Sequence, residues 1–273
     1  MPAKRKKPTA SVLTIAGSDS GGCAGIQADL RAFANFGVHG LSVITAVTAQ
    51  NTTRVASIHR LPAREVARQL EAVFADFPIA AVKIGMLASA ATMREVAGFL
   101  GARNAPAIVI DPLLFSSSGA VLYPRRALAR LRAELLPLAT LLTPNVPEAE
   151  ALLGRRIRRA DELEQAAREL LETGAHAILL KGGHLNGRTV CDVLVDSRAT
   201  WKFTHARRPI AMRGTGCTLS AAIAAALACG LALEDAVRCG ENYLQDAMRG
   251  AYRPGRSTRH ALGRPPADDR RQR

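Results

Sequence analysis

The sequence predicts an α/β fold of three layers, an αβα sandwich in which helices cover both faces of a mostly parallel central sheet. Short apolar runs alternate with stretches of helical periodicity along almost the whole chain. The apolar runs are continuous, which is typical of parallel strands buried on both faces. The chain has 273 residues, of which 48% are hydrophobic, so it can build one large core.

The first half of the chain alternates strands with helices. The run "SVLTIAG" (11–17) is apolar and ends in glycine, as a buried strand does. The run "IQADLRAFANFG" (26–37) has apolar residues three and four positions apart before a final glycine, which predicts a helix. The same patterns predict strands over 41–50, 55–61 and 79–86, and helices over 65–77 and 92–100.

The second half continues the alternation and ends in two helices. Strands are predicted in "AIVIDP" (107–112), "ATLLTPN" (139–145) and "HAILLKGG" (176–183) and over 190–195 and 201–204, with helices after Pro124, from Pro147 and from Asp161. The first closing helix, from Leu219, has almost no polar face, which predicts burial on every side.

One domain is predicted over residues 11–250, between basic tails at 1–10 and 251–273. The formal net charge of +14 is concentrated at the two ends, where Arg and Lys mix with Pro, Gly and Ser and predict disorder. Tyr252 is the one aromatic residue among these basic ones, which is too few for a stacking surface, so we expect no specific nucleic-acid partner. We also expect no membrane partner and a cytoplasmic location, because no apolar run has the length of a membrane span and no signal-peptide pattern is present.

Polar residues that follow strands are the candidates for chemistry, because ligands bind at the carboxyl ends of parallel strands. Gln50 offers donors and acceptors that suit the edge of a heterocycle, although a turn glutamine is an equal alternative. Asp111 and Glu148 could hold Mg²⁺, although a carboxylate in a first helical turn is also stabilised by the helix dipole. Lys181, between a strand and two glycines, needs a charge partner, and a phosphate would serve.

The start of the buried helix, "RGTGCTLS", predicts an anion site. Gly214 and Gly216 would let backbone amides wrap an oxyanion, and the Thr215 hydroxyl would add a donor. The same field is expected to lower the pKa of Cys217, so that a thiolate could accept a proton from a substrate hydroxyl. The alternative is a glycine-rich turn that caps a core helix, with Cys217 as a small buried residue.

Several motifs together resemble one family. They are "LTIAGSDSGGCAGIQADL", "VITAVTAQNT", "VKIGML", "DPLLFSSSG", "LLTPNVPEAEALLG", "LLKGGHL" and "GTGCTLSAAIAA", and they span residues 11 to about 250. Their order and spacing are similar to those of the hydroxymethylpyrimidine/phosphomethylpyrimidine kinases of thiamine biosynthesis, a branch of the ribokinase-like superfamily. The resemblance implies transfer of the γ-phosphate of ATP to 4-amino-5-hydroxymethyl-2-methylpyrimidine and then to its monophosphate, with Mg²⁺. Relatives are often homodimers.

The resemblance also implies roles for individual residues. The pyrimidine side would comprise Gly17, Asp29, Gln50 and Met86, and the ATP side Asn145, Lys181 and Thr215. Asp111 and Glu148 would lie near Mg²⁺, Gly214, Thr215 and Gly216 would form the anion hole, and Cys217 would take the place of the base. Three departures stand out. Cys23 replaces a usual glycine. Ala211-Met212-Arg213 replaces a usual Asn-Thr-His run, and Arg213 either adds charge beside the phosphates or points into water. The ending "RHALGRPPADDRRQR" (259–273) replaces the usual Gly/His-rich ending.

Two alternatives remain open at the level of the sequence. A pyridoxal kinase of the same branch would act on a similar ring hydroxymethyl group. A catalytically silent relative would keep the fold and bind nucleic acid through its basic tails, although such a protein has no reason to retain Lys181, Asp111, Glu148 and the glycine-rich turn.

Overall fold

A computed structural model describes residues 9–103, 106–114 and 125–263, except for the side chains of 125–127. The remainder, which includes 1–8 of the predicted first tail and 115–119 of the "DPLLFSSSG" motif, lies outside the described residues. The strands are β1 Ser11–Asp19, β2 His39–Gln50, β3 Val55–Arg60, β4 Ile79–Ile84, β5 Ala107–Ile110, β6 Leu141–Leu142, β7 Ala177–Leu180, β8 Thr189–Asp196, β9 Thr200–Ala206, β10 Met212–Arg213 and β11 His260–Ala261.

The helices follow the predicted order. They are α1 Gly25–Asn35, α2 Ala63–Asp76, α3 Ala90–Gly101, α4 Arg125–Arg130, α5 Val146–Leu153, α6 Leu163–Leu171, α7 Thr215–Ala228 and α8 Leu233–Arg249. A π-helical turn and a 3₁₀ turn extend α4 to Leu138. Among the described residues, no helix combines the length and the apolar character that a membrane span requires.

Nine strands form one sheet in the order β3-β2-β1-β4-β5-β6-β7-β8-β9. Neighbours from β2 to β7 pair in parallel, whereas β3, β8 and β9 pair antiparallel to their neighbours at the two edges. The mostly parallel sheet is therefore confirmed, and the carboxyl ends of its central strands lie along one edge.

Helices cover both faces of the sheet, which confirms the three layers. On β1, Val12 and Leu13 point to opposite faces, as successive strand residues must. The Leu13 face packs against α2, α3, α5 and α6, and the Val12 face packs against α1, α7 and α8. Helix α7 is buried continuously from Cys217 to Ala226 because it lies between the sheet and the helices α1 and α8. The prediction of burial on every side is confirmed.

The predicted second tail, 251–273, is wrong in its first part. Strand β11 (His260–Ala261) pairs in parallel with β10 (Met212–Arg213), just before α7, and Tyr252 bridges to Ala261. Ala261 is buried. The many arginines of this segment led to the prediction of disorder. The pairing of β11 with β10 could not be predicted from local sequence, because the two strands are about 50 residues apart. Residues 264–273 lie outside the described residues.

Candidate active site

The N-terminus of α7 lies open beside charged residues from two strand ends. Gly214 precedes the helix at φ +77°, a left-handed conformation that favours glycine, and a Cβ there would overlap the carbonyl oxygen of Cys23. No side chain caps this helix start. Thr215 and Gly216 line a cavity of about 270 Å³ together with Asn145 and Lys181. The first amides of α7 are therefore available to an anion in this cavity.

Asp111 and Lys181 form an ion pair against the same turn. Lys181 Nζ lies 3.1 Å from Asp111 Oδ1, and both side chains are nearly buried. The other carboxylate oxygen of Asp111, Oδ2, is buried and without a hydrogen bond. A Cβ on Gly216 would lie 3.2 Å from both Asp111 Oδ2 and Lys181 Nζ, so a side chain there would require this pair to shift by a few tenths of an ångström. The structure thus brings together Asp111, Lys181 and the turn.

Asn145 and Glu148 form a capping box at the start of α5. Asn145 Oδ1 accepts from the Glu148 amide at 3.0 Å, and Glu148 Oε2 accepts from the Asn145 amide at 2.9 Å. Burial raises the pKa of Glu148 to about 7; Lys181 opposes the rise and Asp111 adds to it. Burial by itself lowers the pKa of Lys181, but the charges of Asp111 and Glu148 outweigh it and the net shift is upward. Glu148 therefore caps α5 and also interacts electrostatically with Asp111 and Lys181.

Cys217 lies between the two sides of the candidate site. Its sulfur accepts a hydrogen bond from the Gly25 amide, at the start of α1, and the residue is buried. Burial raises its pKa to about 11, Lys83 lowers it, and Asp29 and Asp111 raise it further. The predicted lowering of this pKa is wrong, because the loss of hydration outweighs the field of the helix.

Asp29, predicted for the pyrimidine side, is part of a buried ion pair in this structure. Its side chain is fully buried and accepts from Lys83 Nζ at 2.9 Å and Thr14 Oγ1 at 2.6 Å. Burial raises the pKa of Asp29, while the pKa of Lys83 rises because the Asp29 charge outweighs burial. Sequence reasoning missed Lys83. A lysine inside the apolar run "IAAVKIGM" was the available signal, because a charge within a buried strand needs a partner.

The other residues predicted for the pyrimidine side lie near the loop after β1. Gly17 packs against Met86, whose methyl group occupies the space that a Cβ on Gly17 would take. Gln50 ends β2 and is partly exposed, and its backbone N–H and C=O both bond to the Ser20 hydroxyl at 2.8 Å. Asp19 organises this loop, because its carboxylate accepts from the amides of Gly21, Cys23 and Ala24. Sequence reasoning missed Asp19, although aspartate before glycines is a turn signal.

Two of the three departures from the family pattern, Cys23 and Arg213, have structural explanations. Cys23 does not adopt a left-handed conformation, since Ala88 and Leu113 are the non-glycine residues with positive φ in the described chain. The cysteine therefore fits without backbone strain. Arg213 is buried and donates from Nη1 to the carbonyl oxygens of Asn51 (3.0 Å) and Thr52 (3.3 Å). It points neither to the phosphate side nor into water; it fastens the loop after β2 to the start of α7.

A model of the phosphomethylpyrimidine kinase family matches residues 19–261. The chain belongs to the phosphomethylpyrimidine kinase family. This kinase chain is 47% identical, over 250 residues, to a hydroxymethylpyrimidine/phosphomethylpyrimidine kinase of Rhizobium meliloti, with 90% of this chain and 92% of that protein covered. It is 46% identical to the thiamine biosynthesis bifunctional protein ThiED of Geobacter sulfurreducens, with 91% of this chain covered, and spans 51% of that longer protein.

Solved structures agree with the fold of this kinase. A phosphomethylpyrimidine kinase from Clostridium difficile aligns with a TM-score of 0.80 at 41% identity, covering 88% of this chain and all of that one. A pyridoxal kinase from Staphylococcus aureus in complex with AMP-PCP and pyridoxal aligns with a TM-score of 0.86 at 27% identity, covering 94% of both chains. The predicted family, the ribokinase-like αβα fold and a phosphotransferase that uses a nucleotide are confirmed.

Proposed function

We propose that this protein transfers the γ-phosphate of ATP to the hydroxymethyl group of 4-amino-5-hydroxymethyl-2-methylpyrimidine, and then phosphorylates the monophosphate, in thiamine biosynthesis. One observation carries the proposal within the kinase family. The uncapped start of α7 opens into the same cavity as Lys181, with Asp111 against the turn. Phosphoryl transfer needs this combination, because it depends on positioning and on stabilising the charge of the migrating group.

The ATP side of the proposal rests on the cavity that Asn145, Lys181 and Thr215 line. Lys181 Nζ lies 3.1 Å from Asp111 Oδ1, and because Lys181 lines the cavity it would also contact a phosphate bound there. The amides of the turn from Gly214 to Gly216 would hold the oxygens of the migrating phosphoryl group as their charge changes.

The residues present fit a magnesium ion. Asp111 has a buried oxygen with no hydrogen bond, and Glu148 is a second buried carboxyl group that interacts with it. Hard oxygen ligands are those that Mg²⁺ prefers, usually one or two carboxylates together with phosphates and water. Asp111 and Glu148 would hold the ion, which would neutralise the charge of the transferred phosphate.

Cys217 and Gln50 complete the proposal on the pyrimidine side. Cys217 follows the turn directly and would accept the proton of the substrate hydroxyl as a thiolate, with Lys83 favouring the charged form. Gln50 would bond to the aminopyrimidine edge, Met86 and Gly17 would lie against the ring, and Asp29, paired with Lys83, would belong to the same pyrimidine side. Three further points stay predictions. They are a homodimer, a cytoplasmic location and the lack of a specific nucleic-acid partner.

Pyridoxal phosphorylation is the second candidate, because the Staphylococcus aureus pyridoxal kinase shares the fold at a TM-score of 0.86. Sequence identity favours the pyrimidine as substrate, because it is 47% to the Rhizobium meliloti kinase and 27% to the pyridoxal kinase.

A coupled ADP-release assay with hydroxymethylpyrimidine, its monophosphate and pyridoxal in parallel tests the proposal. We expect the largest kcat/KM with hydroxymethylpyrimidine and measurable turnover of the monophosphate. A larger kcat/KM with pyridoxal would overturn the assignment. If no ADP is released with any of the three compounds, the catalytically silent relative would be favoured instead.

A further inference from the structure

A second group of buried ligating side chains lies on the other wall of the cavity. Asp192 on β8, His205 on β9 and Glu241 on α8 each offer one ligand atom, and these atoms all lie within 4.8 Å of one another. Asp192 and Glu241 are only 4% and 5% exposed. Asp192 and His205 line the cavity, so an ion could reach the group from there. The group contains neither Asp111 nor Glu148.

Glu241 is the unusual member of the group. Both of its carboxylate oxygens are buried, and the group within hydrogen-bond reach of them is another carboxyl group, that of Asp192. Its neighbour Asp192 is partly satisfied, because Asp192 Oδ1 accepts from the Gly182 amide at 2.7 Å. Burial and the charge of Asp192 both raise the pKa of Glu241. Two adjacent buried carboxylates need a shared proton or a cation between them.

We propose that Asp192, His205 and Glu241 bind a divalent transition-metal ion, with Zn²⁺ as its representative. One imidazole nitrogen and two carboxylate oxygens form a ligand set that suits Zn²⁺ better than Mg²⁺, which prefers oxygen ligands throughout. Ligand atoms in tetrahedral zinc sites lie about 2.0–2.2 Å from the ion and are therefore about 3.3–3.6 Å apart. The ligand atoms of the group lie within 4.8 Å of one another, so each pair would have to approach by at most about 1.5 Å to hold an ion. Because Asp192 and His205 line the cavity, water from it would fill the remaining coordination position.

The ion would join three elements that meet at the wall of the nucleotide cavity. Strands β8 and β9 are paired neighbours at the sheet edge, and α8 packs beside β9. Through the bond from Asp192 to the Gly182 amide, the same ion would also stabilise the turn that follows Lys181. Because binding requires the folded arrangement, the ion should raise the stability of the whole chain.

The test uses the full chain, stripped of metal by a chelator and titrated with Zn²⁺ in the absence of nucleotide. We expect equilibrium dialysis with elemental analysis to find one Zn²⁺ per chain, retained in the presence of excess Mg²⁺. Glu241→Gln and His205→Gln should each weaken binding by at least about tenfold. Zn²⁺ should raise the melting temperature of the wild type and of neither variant. Matched controls are Glu172→Gln and His176→Gln, exposed residues outside the group, which should bind Zn²⁺ as the wild type does.

Two results would overturn the proposal. One is a wild type that does not bind Zn²⁺, and the other is unchanged Zn²⁺ binding in both Glu241→Gln and His205→Gln. The first result would mean that Asp192 and Glu241 share a proton, and the second that another group, such as a cysteine, holds the ion. Because Gln keeps the volume of Glu without its charge, Glu241→Gln should fold, and circular dichroism checks this. Asp192→Asn, which keeps the acceptor for Gly182, gives an independent third variant. Phosphotransfer is not the readout, so the outcome does not depend on the proposed reaction.

Discussion

Cys217 illustrates how burial decides the charge of a single residue. The residue stands in the first turn of α7, where the helix field favours a thiolate, but its surroundings are dry and two carboxylates lie near it. With a pKa of about 11, the free protein carries a neutral thiol at pH 7. As the pH rises toward this pKa, the thiolate fraction increases about tenfold for each pH unit.

We predict that the turnover of the wild type rises between pH 7 and pH 9, because the proposed proton acceptor becomes more ionised. Cys217→Ala should lower kcat about 100-fold, within the range of general-base effects, and should remove this rise while leaving the KM for the pyrimidine nearly unchanged. Steady-state kinetics across pH provides the measurement. Cys229→Ala, an exposed cysteine at the other end of α7, serves as the control and should behave as the wild type. Normal turnover in Cys217→Ala would remove this residue from the proposed chemistry.

Glu148 is a second residue whose charge depends on its burial. Because burial raises its pKa to about 7, the carboxylate predominates above pH 7 and the neutral acid below it. A bound cation needs the carboxylate. We therefore predict that the Mg²⁺ concentration for half-maximal activity rises as the pH falls from 8 to 6, by about tenfold at pH 6.

The matched variant for this prediction is Glu148→Gln, which cannot ionise. It should need more Mg²⁺ at every pH, and its Mg²⁺ requirement should vary with pH only as the titration of ATP itself dictates. Glu71→Gln, an exposed residue of α2, should keep the wild-type profile. Identical Mg²⁺ profiles for Glu148→Gln and the wild type would show that Glu148 acts only as the cap of α5.

At the scale of the element, α7 combines two requirements at its two ends. Its body is apolar all round because the sheet, α1 and α8 enclose it. Its start is made of small residues because the backbone of the loop at Cys23 and the pair Asp111–Lys181 both press against it. A side chain at the start would separate the helix from the groups with which it forms the candidate site.

We predict that Gly214→Ala destabilises the protein by about 1–3 kcal/mol, because alanine at φ +77° is strained and its Cβ meets the Cys23 carbonyl. Activity should fall more than stability does, since the first amides of α7 would shift. Chemical denaturation and the ADP-release assay measure the two effects. Gly98→Ala is the control. Gly98 lies within α3 with open space around its Cβ position, so alanine there should stabilise the chain slightly. Equal stability of Gly214→Ala and the wild type would contradict the argument.

At the scale of the whole molecule, the sheet order brings residues that are distant in sequence to one edge. Strands β5, β6 and β7 are parallel neighbours, so Asp111, Asn145 and Lys181, which follow them, come together at their carboxyl ends. The antiparallel pair β8–β9 extends the sheet beyond β7 and carries Asp192 and His205 into the same cavity. The return of the chain through β11 closes the region beside the start of α7.

The sequence by itself determined the αβα fold, the family and the polar residues at the strand ends. These depend on local periodicity and on motif order, which are readable along the chain. Only the tertiary structure decided which of those residues are buried away from water, which form ion pairs and which lie outside the cavity. Asp29 pairs with Lys83 from another strand, Arg213 holds a loop, and Cys217 keeps its proton. Hydration and charge at each group are set by neighbours far away in sequence, and no local pattern encodes them.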